Sequence, residues 1–432
     1  MAAVSERFHS FLTDDELRSC ERIPDEFCQE VPGNFAANIL NGTITKLAER
    51  IIHPGLTLPW ILSALGVSTF WIGLLVPVRD AGSLLPQIFV SARIRSMAIR
   101  KSVWVLAASV QGLCLLACGF AILYLKTRWA GVSILLLFLL YSVASGIASL
   151  AFKDVTAKTI PSGQRGSLLS YRALFGGMLS IPAGLGLLFY VRGEESTTVF
   201  TWLFWIAAGL WWVSALIYSR IKEFPGATRG GRNPIDELRA GMAVLRQDSN
   251  FRRFLAVRAL LFSIPLMLPY VVLGMASNEP GSMGWLILVG GIAELISSPF
   301  WGRHADRSAA GLIQVCSIIA LIVILAAMLM PHFLDEKYLF FGSLALIFIH
   351  SIAYSGARLG RKTYLVDYAP EDNRSTYISV ANTFMGCFTL LAASFAFVAQ
   401  FLGTQIQLLF FALLLCICLI LANRLEPLRA RS

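Results

Sequence analysis

The chain has 432 residues, 56% of them hydrophobic and only 14% charged, where a soluble domain carries about a quarter charged residues. The mean hydropathy of +0.68 points to lipid as the main solvent. The net charge of +10 sits largely in short loops between apolar runs, where Lys and Arg orient helices, so it does not argue for nucleic acid.

Residues 1–36 open with an acidic stretch (Asp14, Asp15, Glu16, Glu21, Asp25, Glu26, Glu30). They lack an apolar core followed by a cleavage site, so they read as a cytosolic arm, not a signal peptide. The arm is also a candidate contact for a protein partner. Spans of roughly 20 mostly apolar residues then predict membrane helices. Helix 1 is expected at 37–64, helix 2 at 67–90, helix 3 at 103–125 and helix 4 at 130–152. Helices 5 and 6 follow at 167–191 and 198–221, closing a first half over 37–221. A polar central loop, 222–251, contains an amphipathic helix. The second half, 252–423, holds helices at 252–276, 282–301, 310–331, 338–359, 375–402 and 405–423, before a tail at 424–432. The expected fold class is thus all-α and polytopic. No alternating strands of barrel type are visible, and open sheet edges cannot be satisfied in hydrocarbon.

The loops agree with this count. Arg93, Arg95, Arg100, Lys101, Lys153, Lys158 and the central-loop arginines fall on one side, against Lys126, Arg128, Arg192 and Lys337 on the other. The bias places both termini in the cytosol. Residues 141–177 also align onto 350–386 without gaps, with pairs such as Ser142/Ser351, Lys153/Lys362, Pro161/Pro370, Arg165/Arg374 and Gly177/Gly386. Leu58-Pro59-Trp60 likewise pairs with Leu268-Pro269-Tyr270. Two six-helix repeats follow from this, with a site between them near the midplane.

Charged residues inside membrane spans are costly and commonly line a water-filled cavity. Lys46, Glu49, Arg50 and His53 fall on one face of helix 1 by their spacing. Arg79 and Asp80 lie midway along helix 2, with Glu49 a partner for Arg79 and Lys46 or Arg50 for Asp80. Glu294 is read as a lone carboxylate in helix 8, suited to carrying a proton. His350 and Tyr354 share a face of helix 10. Each has a plainer reading as packing or a structural ion pair, strongest for His350. Arg172, Arg258 and Arg358, near helix ends, have two readings, snorkelling toward lipid phosphate or binding substrate. Trp202, Trp205, Trp211 and Trp212 read as lipid-facing aromatics. The cysteines form neither a disulfide framework nor a zinc pattern. Without a phosphate loop, nucleophile elbow or metalloprotease motif, no cofactor and no enzymatic activity are expected.

One motif carries a family resemblance. Gly302-Arg303-His304-Ala305-Asp306-Arg307 resembles the G-x-x-x-D-R loop signature of the major facilitator superfamily. In the first half the same position holds Ser91-Ala92-Arg93-Ile94-Arg95, then Arg100-Lys101, so Ser91 and Arg95 replace the Gly and Asp. Ile235–Leu255 is similar to the family's cytosolic linker helix. The resemblance implies two pseudo-symmetric six-helix halves and a gating loop of Gly302, Asp306, Arg307 and Arg95. It further implies secondary active transport of a small molecule by alternating access, coupled to a proton or ion. The cations around helices 1 and 2 favour an anionic or zwitterionic metabolite. The rival readings are a non-transporting membrane assembly factor or sensor and a lipid or lysolipid transporter. Short loops suggest a multi-pass protein of the bacterial inner (plasma) membrane, in contact with membrane lipid.

Overall fold

The computed structural model describes residues 25–161, 164–190, 196–226, 242–274, 282–370 and 374–426. Among these residues, twelve helical rods form the bundle. The first is α1, Val31–Ile51 continued by Thr57–Ala64. Next come α2 (Thr69–Gly73 and Leu75–Arg95), α3 (Lys101–Tyr124) and α4 (Thr127–Thr159). Rods α5 (Arg165–Tyr190) and α6 (Thr197–Ser219) complete the first half. The second half begins with α7 (Ser249–Leu260 and Ser263–Leu273), α8 (Ser282–Arg307) and α9 (Ala309–Leu329). It ends with α10 (Glu336–Tyr368), α11 (Arg374–Ala392 and Ala396–Leu402) and α12 (Thr404–Ala422).

Among the described residues, nine of these rods are long and apolar enough to cross a membrane by length and composition; α1, α2 and α8 are not among them. Those three carry Lys46, Glu49, Arg50, Arg79, Asp80 and Glu294, so the charges that weaken their hydropathy gather in one part of the fold. The protein is a multi-pass integral membrane protein. Several of its boundaries depart from expectation. Helix α1 begins at Val31, inside the expected arm, and the long rods α4 and α10 extend several residues beyond the apolar runs.

The packing repeats. In the first half α1 packs on α5 and α6, α2 on α4, and α3 on α4 and α6. In the second half α7 packs on α11 and α12, α8 on α10, and α9 on α10 and α12. The halves meet along α2–α11 and α5–α8, which exchange under the same pseudo-symmetry. The sequence repeat has this geometry: α4 and α10 end at Thr159 and Tyr368, and α5 and α11 begin at Arg165 and Arg374.

The α5–α8 seam is close because glycine lines it. A Cβ on Gly184 would stand 2.9 Å from the Gly284 carbonyl oxygen, and one on Gly284 would stand 2.7 Å from that of Gly184. Small residues let membrane helices approach backbone to backbone. At the bundle end away from the central loop, Phe70 meets Phe397 with ring centroids 4.8 Å apart, and the Phe70 N–H donates to Gln400 Oε1.

Rod α1 breaks at His53-Pro54-Gly55. Proline lacks an N–H and disfavours helical geometry at the residue before it. The His53 carbonyl is taken up by the N–H groups of Leu56 and Leu58, and His53 Nδ1 accepts from Gly55 N at 3.2 Å. Rod α7 breaks at Leu261–Phe262, three residues before Pro265.

Six cysteines are free thiols, in α3, α9, α11 and α12. Cys28 is disulfide-bonded.

Candidate functional site

Glu294 on α8 is not a lone acid. Its Oε1 accepts from Lys46 Nζ at 3.0 Å and its Oε2 from the Arg50 guanidinium at 2.5 Å. One carboxylate therefore bridges two cations of the other half, and the argument from an isolated proton carrier no longer applies. Glycine again makes room: a Cβ on Gly290 would lie 2.6 Å from an Arg50 nitrogen.

Glu49 faces Arg79 at 4.0 Å, as the spacing suggested. Arg79 also donates to Ser145 Oγ at 2.9 Å and lies over the Tyr141 ring. Asp80 departs from expectation. Lys46 and Arg50 are engaged by Glu294, and Asp80 instead sits in the field of Arg361, Arg79, Arg258 and Arg358.

Two cavities that share lining residues lie between the halves. One of about 120 Å³ is lined by Lys46, Glu49, Arg50, Glu294 and Arg358, among others. The other, of about 240 Å³, reaches Arg79, Asp80 and Tyr141. His53, Tyr354 and Arg358 line both. The lining of the two cavities includes the cations Lys46, Arg50, Arg79 and Arg358 and the acids Glu49, Asp80 and Glu294.

His350 is fully buried and its Nε2 lies 2.8 Å from the Ile264 carbonyl oxygen. It packs behind Tyr354 and is absent from the lining of both cavities.

Arg358 departs from the snorkelling expectation. It enters the cavity and lies over Tyr354, rather than reaching out to lipid. Its position four residues after Tyr354, on the same helical face, was the available signal. Arg172 also points inward: it donates to the Asn38 carbonyl and to Asn41 Oδ1. Arg258 bonds Asn382. Among the tryptophans, Trp211 is buried against Tyr141 while Trp202 is exposed.

The expected gating loop is helical. Gly302, Asp306 and Arg307 form the last turns of α8, and Ser308 caps α9 by accepting from Gly311 N. Nothing lies within 4 Å of a Cβ built on Gly302, so close approach does not explain that glycine. Arg307 is exposed. The side chains of Asp306 and Arg95 lie outside the described residues. In the first half an unforeseen acid does the fastening. Glu223 accepts from the backbone N–H groups of Arg100 and Lys101 at the start of α3, and from Lys158 Nζ at 2.8 Å. Arg100 pairs with Asp154 at 3.0 Å.

Comparison with known proteins agrees with this architecture. Residues 254–431 match the model of the Major Facilitator Superfamily. The xylose transporter XylE from E. coli superposes with a TM-score of 0.68 at 11% identity, over 93% of this chain and 98% of its own. A mutant of the nucleoside transporter NupG gives 0.68 at 11% identity, over 91% and 99%. At such identities the likeness is one of fold. Rv2209 of Mycobacterium tuberculosis and Mb2232 of Mycobacterium bovis, both described as uncharacterized, are each 24% identical over 281 residues. The aligned region covers 63% of this chain and 53% of theirs, so the chain spans about half the length of these relatives. The fold and the matched second half are thus similar to those of major facilitator proteins, on an integral membrane protein of two repeated halves.

Proposed function

We propose that the chain is a secondary active transporter of an anionic or zwitterionic small molecule, working by alternating access. The carrying observation is the Lys46–Glu294–Arg50 bridge between the halves, set in a cavity where Arg79 and Arg358 add positive charge. An anionic group entering this cavity competes with Glu294 for Lys46 and Arg50. Exchange of partners then changes what ties α1 to α8, so occupancy of the site bears on the fit between the halves. The halves, 37–221 and 252–423, rock about this site, and a proton or ion gradient supplies the free energy. Both termini and the 222–251 loop lie in the cytosol, in a bacterial inner membrane.

The fold neighbours include proteins named as xylose and nucleoside transporters and a transporter of the POT family, which supports the transporter class without naming a substrate. A thermal-shift screen of the purified protein against anionic, cationic and neutral metabolites tests the proposal. Stabilisation by an anion, abolished in Arg50→Ala, supports it. Stabilisation only by cations, indifferent to Arg50, contradicts it.

A further inference from the structure

An apolar groove of about 480 Å³ runs between α1 and α5. Ala36, Ile39 and Leu40 form one wall, and Phe175, Met178 and Pro182 much of the other. Leu40 and Met178 are half-exposed within it. The one polar side chain of its lining, Thr43, donates its hydroxyl to the Ile39 carbonyl oxygen at 2.9 Å. The walls therefore leave little for a hydrogen-bonding ligand and suit hydrocarbon.

The groove ends beside the charged site. Lys46 follows Thr43 by three residues, on the same face of α1 and about 4.5 Å further along the axis. It lies against Gly176, the residue after Phe175 of the groove wall. An apolar trough thus leads within one helical turn to Lys46, which shares its counter-ion, the protein's own Glu294, with Arg50 one turn further on.

We propose that the substrate is a single-chain amphiphile, with its anionic head on Lys46 and Arg50 and its hydrocarbon chain along the α1–α5 groove. This rests on the anion-transport reading above and narrows its substrate class. Charge at one end and hydrocarbon along the length are complementary to such a molecule, whereas a bilayer lipid filling the groove by exposure alone has no need of the cations.

Palmitate carrying a diazirine on its chain is the probe, photolysed with the full-length protein in phosphatidylcholine nanodiscs. In the wild type it labels the peptide holding Phe175–Pro182 or that holding Ala36–Thr43. Unlabelled palmitate blocks the labelling and hexadecanol, which lacks the charge, does not. Arg50→Ala reduces it at least tenfold. Labelling elsewhere, or equal blocking by hexadecanol, overturns the proposal. Thermal shift by butyrate separates the two readings. If butyrate stabilises the wild type and not Arg50→Ala while palmitate labels elsewhere, small-anion transport stands and the amphiphile falls. If neither acid binds, both fall.

Discussion

Glu294 decides the chemistry of the centre because it is the acid that joins the halves. Removing one member of a part-buried ion pair leaves its partners uncompensated. Glu294→Gln leaves both Lys46 and Arg50 without their carboxylate and is expected to cost about 1–3 kcal/mol, read as a lower melting temperature. By the competition argument the same variant binds an anionic ligand more tightly than wild type, since the internal rival is gone. Unchanged ligand affinity would show that Glu294 and ligand do not share the cations. Glu223 offers a contrast outside the cavity. Its side chain is fully buried and meets Lys158 and two backbone donors. Glu223→Ala is expected to destabilise by about 3–5 kcal/mol without changing ligand preference, and a melting curve beside a binding curve tests both halves of that statement.

The glycines show how elements are held at their distances. Gly284→Leu forces a side chain into the Gly184 backbone, so it is expected to separate α5 from α8 and abolish transport. Gly302→Ala meets open space and is expected to alter stability by less than about 0.5 kcal/mol. A severe defect at Gly302 and a mild one at Gly284 would reverse this ranking. Elements with long apolar runs, such as α3, α9 and α12, were legible in the sequence because composition alone demands them. The weak span α1 was legible only through its repeat partner, since Lys46, Glu49 and Arg50 lower its hydropathy. The break at His53 escaped because Pro54 is as common in a kink as at a helix end. Pairing was less legible than placement. Sequence put Lys46, Arg50 and Glu294 in one cavity, but which acid meets which base depends on α8 crossing α1, a contact 244 residues apart along the chain. Arg358 kept two readings for a related reason: an arginine near a helix end reads as snorkelling or as binding until the neighbouring rods are known.

At the scale of the molecule, two similar halves enclose a cation-rich cavity, with one face drawn shut by α1, α2, α7 and α11. The Phe70–Phe397 contact and the Gln400 bond belong to that shut face. In alternating access these contacts must part each cycle, so tethering residues 70 and 397 through introduced cysteines is expected to stop transport reversibly, with activity returning on reduction. Full transport with the tether in place would rule out rocking at this face. The most direct measurement of the central claim is counterflow in proteoliposomes loaded with an unlabelled anion found by the binding screen. The account predicts that labelled anion transiently accumulates inside above its external level in the wild type and not in Arg50→Ala. No accumulation for any bound anion, with the protein folded and correctly inserted, would contradict it and leave a ligand-binding membrane protein that does not transport.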